Sequence, residues 1–235
     1  DSAFRVARKP LRVQESIWIP VYPSRALRKL NGAWIVEPPA AAKIDEGAAR
    51  VDTVQAPGGQ ATLSFRSTIK DAYEGTSWNG AQDVGDLRLS TTATWQGDEG
   101  GLLLRIRSAP DWVEAWIPAN GEGKLTWESD DRKTEERTFK SSLGDGNPHD
   151  VALLNYDGLA HLKIDGERVA ELSYRDAMVQ LHKGESGASI VVTGGKALLE
   201  RVALSRDIYY LSGGAGSVLH PEETPIDIPD KCYFM

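Results

Sequence analysis

The sequence predicts an all-β protein: a β-sandwich or jelly roll with short extended segments flanking it. Three observations predict this. Apolar and polar residues alternate with period two in one run after another from about Arg50 onward, the pattern of half-buried strands. Two Asp-Gly pairs, Asp157-Gly158 and Asp165-Gly166, stand eight residues apart inside such a run. The chain also carries 23 glycines and 12 prolines among 235 residues, and no apolar stripe of helical period and length.

In chain order, the first thirty residues set seven basic side chains (Arg5, Arg8, Lys9, Arg12, Arg25, Arg28 and Lys29) against Asp1 and Glu15, although the whole chain carries −7. This stretch is either a solvated strand-and-turn segment or a basic arm for anionic lipid or acidic partners. Pro10, Pro20, Pro23, Pro38 and Pro39 exclude a long helix here. Residues 40–44 read as a short helical turn or an extended linker. Strand-like runs follow at 61–69 and then from Leu87, where Leu87, Leu89, Thr91, Ala93 and Trp95 alternate with Arg88, Ser90, Thr92 and Thr94. Residues 97–101 have the composition of a hairpin loop. Beyond it Leu102, Leu104 and Ile106 share one face, as do Val113, Ala115 and Ile117 in the next run. Further runs lie at 124–128 and 137–140. Residues 149–172 form the clearest unit: the two Asp-Gly pairs suit type I′ turns, whose twist matches the flanking strands, and so give a three-stranded meander. Runs at 188–193 and 197–204 complete about a dozen strands. They do not alternate with helices, which disfavours a doubly wound α/β fold.

With 40% apolar and 26% charged residues the composition is globular. A net charge of −7 argues against general nucleic-acid binding, which needs clustered cations. The single cysteine, Cys232, excludes an internal disulfide framework and a cysteine-based zinc cluster, and leaves the redox compartment open. No run is apolar for long enough to span a bilayer. The chain does not begin with Met and stops in the apolar run Cys232-Tyr233-Phe234-Met235, which reads as a segment of a longer protein.

Candidate chemistry is sparse. His149, His161, His182 and His220 show no metal-binding spacing, and no metal ligand or cofactor is expected. Asp145, Asn147 and Asp150 suit either turn chemistry or a calcium site. The acidic cluster of Glu128, Asp130, Asp131, Glu135 and Glu136, with Arg132 and Lys133 inside it, reads as a solvated hairpin. Neither a nucleophile elbow nor a phosphate-binding loop occurs, so no catalytic residue is assigned. A sandwich glycosidase would carry Glu-x-Asp-x-x-Glu; residues 112–116 supply one acid only. The excess is in the seven tryptophans. Trp112 and Trp116 fall on one strand face about 13 Å apart, with Glu114 between them. Trp112, Glu114 and Trp116 are therefore the candidate ligand-binding residues, with a carbohydrate stacked on the indoles as the ligand. The alternative is a tryptophan layer buried between two sheets. Trp78, after Glu74-Gly75-Thr76-Ser77, is expected in a loop at the sandwich rim.

The meander, with His149-Asp150-Val151 and then Leu162-Lys163-Ile164-Asp165-Gly166-Glu167-Arg168-Val169, resembles the concanavalin A-like and laminin G-like sandwiches. Val84-Gly85-Asp86-Leu87-Arg88-Leu89 suits that group too. The fold hosts many functions, so none follows from it. The flanks resemble bacterial type I signal peptidases, in particular large, insertion-bearing planctomycete forms. Arg206-Asp207-Ile208-Tyr209-Tyr210 and Pro229-Asp230-Lys231-Cys232-Tyr233-Phe234-Met235 match a segment that in that family runs into Gly-Asp-Asn. Arg8-Lys9-Pro10, Val13-Gln14-Glu15 and Ile19-Pro20-Val21-Tyr22 resemble the segment leading into the insertion.

The resemblance implies a parent serine endopeptidase of Ser/Lys type on the outer face of the cytoplasmic membrane. It would cleave secretory preproteins and be anchored by parts outside this segment. The family's Ser-Met-x-Pro and Tyr-x-Lys-Arg elements are absent here. Residues 1–30 and 206–235 would then be host flanks, and 31–205 an accessory, non-catalytic insertion with its core at about 50–205. The ends, Phe4-Arg5-Val6 and Cys232-Tyr233-Phe234, are expected within roughly 20 Å of each other, about six residues of extended chain. The alternatives are an extracytoplasmic carbohydrate- or protein-binding sandwich unrelated to peptidases and, third, a glycosidase of the same fold.

Overall fold

Period-two alternation is realised as strands throughout the computed structural model, which describes residues 16–24, 27–70, 84–129, 133–174 and 185–207. In chain order the strands are β1 (Ile19–Tyr22), β2 (Trp34–Glu37), β3 (Ala42–Ile44), β4 (Ala48–Asp52), β5 (Gln60–Phe65), β6 (Leu87–Gln96), β7 (Gly101–Ser108) and β8 (Asp111–Pro118). They continue with β9 (Gly121–Glu128), β10 (Thr134–Ser141), β11 (Pro148–Tyr156), β12 (Leu159–Ile164), β13 (Glu167–Ser173), β14 (Ser186–Thr193) and β15 (Lys196–Arg206). A four-residue helical turn, α1 (Leu30–Ala33), precedes β2. Among the described residues no helix is long and apolar enough to cross a membrane.

Two antiparallel sheets pack face to face. One runs β13-β12-β11-β6-β15-β4-β3, with β1 also on β15; the other runs β10-β9-β8-β7-β14-β5-β2. The fold is the expected all-β sandwich. Both Asp-Gly turns form, with Asp157 and Asp165 at φ 49° and 52° followed by glycines at 72° and 83°. Residues 40–44 turn out to be both things the sequence allowed: a 3-10 turn at Pro39–Ala41, then strand β3.

Strands also form earlier than the alternation signals them. Ile19 pairs with Arg206, so the chain enters and leaves the sandwich on adjacent strands. The end segments Phe4-Arg5-Val6 and Cys232-Tyr233-Phe234, and Trp78, lie outside the described residues.

The core between the sheets is filled by Leu63, Leu89, Leu102, Leu104, Ile106, Ile117, Leu153, Ile190 and Leu204, with Trp34, Trp95 and Trp127 among them. Trp95 needs a bare neighbour: a Cβ on Gly195 would come within 2.5 Å of its ring. Gly195 is in turn clamped by the buried Thr53, whose hydroxyl donates to the Gly195 carbonyl and accepts from its N–H, both at 2.8 Å. At one end of the core the Trp127 indole donates to Asp111 at 3.1 Å and stacks on Tyr174, whose hydroxyl donates to Asn155. These bonds satisfy polar groups that would otherwise be costly to bury.

Candidate functional site

Strand β8 sorts its side chains by alternation. Val113, Ala115 and Ile117 enter the core, and Trp112, Glu114 and Trp116 stand half-buried on the outer face of the seven-stranded sheet. The buried tryptophan layer exists, but it is made by Trp34, Trp95 and Trp127. The register aligns outward residues in rows across the strands. Glu128, Trp112, Arg107 and Gly187 form one row; Thr126, Glu114, Arg105 and Ser189 the next; Lys124, Trp116, Leu103 and Val191 the third. Val191 faces outward yet is only 2% exposed, so neighbouring groups cover it on that face.

The two indoles differ. Trp112 carries guanidinium groups on its ring, Arg105 at 5.3 Å and Arg107 at 5.6 Å from the centroid. Each such contact is worth about 0.5–1 kcal/mol at an exposed site. Arg105 also donates through Nε to Glu114 at 2.6 Å, in an ion pair between directly opposed residues. Both side chains are partly solvated, which limits the pair to about 1 kcal/mol or less; its effect is to fix Glu114 in place. Trp116 has no ring partner among the described residues. The tip of its indole reaches over Gly101, where a Cβ would stand 3.0 Å from Cη2. Lys124, opposite Trp116, pairs with Glu136 at 2.9 Å. The arrangement offers an aromatic plate, a fixed carboxylate and oriented cations on one rigid sheet face. Stacking and hydrogen bonding are the two interactions such a surface can offer a polar, ring-shaped ligand.

A second polar constellation escaped sequence reading. The His149 imidazole lies between Asp165 (Nδ1 to Oδ2, 2.7 Å) and Asp145 (Nε2 to Oδ1, 3.0 Å) beside a shallow cleft of about 200 Å³. Partial burial pushes its pKa down, but the hydrogen bonds that the ring donates to Asp165 and Asp145 outweigh that and raise it above the ordinary 6.5. Asp145 accepts from the Asn147 backbone and side chain and from His149, which brings its pKa down to about 2. A usable signal was present in the sequence. Counting outward from the first Asp-Gly turn, Tyr156 opposite Leu159 leads to Val151 opposite Ile164, and so brings Asp165 next to the start of β11.

The oxygen set Asp145, Asn147 and Asp150 does not assemble. Asp150 accepts instead from Arg201 at 2.8 Å and Thr92 at 2.6 Å. Among the described residues no group of three or more potential ligands is placed to hold a metal ion. His161 is buried against Tyr156, with Nε2 3.0 Å from the phenol oxygen, and its other nitrogen faces Glu171. His182 and His220 lie outside the described residues.

No protein-family model matches the chain, and no curated protein matches it. Solved structures do. An apo Crh5 transglycosylase superposes with a TM-score of 0.51 at 11% identity, covering 82% of this chain and 84% of that one. The same enzyme in complex with NAG gives 0.51 at 11%, over 76% and 80%. The carbohydrate-binding module CBM66 from Bacillus subtilis gives 0.48 at 10%, over 74% and 95%. The likeness is one of fold alone. The chain shares the β-sandwich architecture of the Crh5 transglycosylase.

Proposed function

We propose that this chain is a non-catalytic, extracytoplasmic carbohydrate-binding sandwich whose binding face is the outer surface of the seven-stranded sheet around Trp116. The observation that carries the reading is the outward placement of Trp112 and Trp116 beside the fixed Arg105–Glu114 pair. A sandwich that needed these indoles only for its core would turn them inward, and its core already holds three others. The architecture is compatible with sugars, since the Crh5 transglycosylase that shares it is described in complex with NAG. Binding is favoured over hydrolysis because Glu114 is tied to Arg105 and the Glu-x-Asp-x-x-Glu pattern is absent.

The test is a glycan array followed by a tryptophan-fluorescence titration of the best hit. Trp116→Ala is expected to weaken binding about tenfold or more, through lost stacking and lost apolar contact. An array without hits, or a Trp116→Ala variant that binds like the parent, would sink the reading.

A second observation bears on where the module sits. Strands β1 and β15 pair, so both chain connections leave the sandwich side by side, as an insertion in a host requires. Together with the flanking motifs this supports placing the sandwich inside a type I signal peptidase on the outer face of the cytoplasmic membrane. There it would act beside an enzyme that cleaves secretory preproteins. The two statements are compatible: one concerns what the sandwich binds, the other its host. Gly-Asp-Asn directly after Met235 in the parent sequence supports the host reading, and any other continuation removes it.

A further inference from the structure

We infer that the glycan bound on this face is anionic, with Arg107 receiving a sugar carboxylate or sulfate above the bare backbone of Gly187. This rests on the carbohydrate reading and adds the ligand class to it. Of the cations on strands β7 to β9, Arg105 is neutralised by Glu114 and Lys124 by Glu136. Arg107 is exposed and, among the described residues, makes neither an ion pair nor a hydrogen bond; its guanidinium lies over the Trp112 ring. A cation–π contact consumes no N–H of the guanidinium, so its donors remain available for a two-pronged bond to a planar or tetrahedral oxyanion. It also holds the side chain in place, so less rotamer entropy is lost on binding.

The space beside Arg107 is open. Gly187 is directly opposite it on β14, and a Cβ there would find only the Arg107 Cβ, at 3.8 Å. The row therefore reads aromatic ring, guanidinium, bare backbone, with Ser189 and Arg105 in the neighbouring row. Glu128 stands on the far side of Trp112, two strands and about 10 Å away, and leaves the approach to Arg107 clear. Trp116 lies about 13 Å from Trp112 along the strand, so an oligosaccharide with one ring on Trp116 places a later unit over Gly187. The protein's overall negative charge does not oppose this strongly, because fields beyond about 8 Å are screened at physiological ionic strength.

The experiment titrates the chain with a short oligogalacturonate, a sulfated galactan oligosaccharide and a neutral galactan oligosaccharide of equal length. At least one anionic ligand is expected to bind about tenfold tighter than the neutral one, the better arm identifying carboxylate or sulfate. Arg107→Gln should erase the difference, with the loss of affinity falling on the anionic ligand. Arg107→Lys should restore part of it, and Gly187→Leu, which fills the floor, should remove the anionic advantage with Arg107 intact. Equal binding of anionic and neutral ligands, or anionic binding unaffected by Arg107→Gln, overturns this inference and leaves the carbohydrate reading standing. Absence of binding to all three ligands and to the array overturns both.

Discussion

His149 is held by carboxylates from two different turns, Asp145 before β11 and Asp165 between β12 and β13, and the pair of contacts ties those turns together. Its folded pKa lies above the ordinary 6.5, so the charged imidazolium binds the fold more strongly than the neutral ring. That stabilisation is fully present below the unfolded pKa and is lost as pH rises through the folded one. Asp145 has the opposite sign. With its pKa lowered to about 2, its contribution is present above the ordinary 3.8 and is lost as pH falls toward about 2. Chemical denaturation of wild type and His149→Gln from about pH 5 to about pH 9 should show their stability difference shrinking on the alkaline side. A difference that stays constant across that range would rule out a charged His149. A histidine between turns is ordinary as a residue type. What set it apart was register, which single-residue inspection does not contain.

Strands and turns are the scale at which the sequence was most informative, and the reasons are local. Asp-Gly admits the positive φ that a type I′ turn demands, and alternation names the buried face wherever the other face is polar, as in β6. The failures share one cause: apolar residues on both faces. In β8 Trp112 and Trp116 oppose Val113, Ala115 and Ile117, and alternation alone cannot say which set enters the core. The gap between the sheets, already occupied by Trp95 and Trp127, takes the smaller set.

In β15 the inward residues run Ala197, Leu199, then Val202 and Leu204, a slip of phase absorbed by a bulge in which Arg201 takes φ 49°. That slip is visible in the sequence once a bulge is allowed for. The turns can be tested by substitution. A Cβ on Gly166 would meet nothing within 4 Å, so Gly166→Ala acts through its φ of +83° alone. It should cost about 1–2 kcal/mol in urea denaturation with unchanged m. A loss well under that would mean that the turn relaxes to another type.

Pairings between distant strands decide the whole molecule, and no local pattern encodes them. β6 sits between β11 and β15, and β14 between β7 and β5, because two layers must close around one core and not because neighbours in sequence attract. The least foreseeable pairing is that of β1, a short strand in a proline-rich, basic stretch, with the last turn of chain in β15. Its consequence is geometric. Ile19 and Arg206 are partners across an antiparallel ladder, and partner Cα atoms in such a ladder stand about 4.5–5.5 Å apart. A host hairpin loop has ends at the same spacing, so residues 19–207 can replace one without stretching the host. Spliced through short Gly/Ser linkers into an exposed hairpin of an unrelated stable domain, the sandwich should fold there and leave the host folded, with two calorimetric transitions close to those of the separate proteins. Unfolding of the host, or a sandwich that folds only as the free chain, would show that the β1–β15 closure does not hold the two connections together. The insertion architecture would then lose its structural support, while the proposed sugar-binding face on the opposite sheet would be untouched by that result.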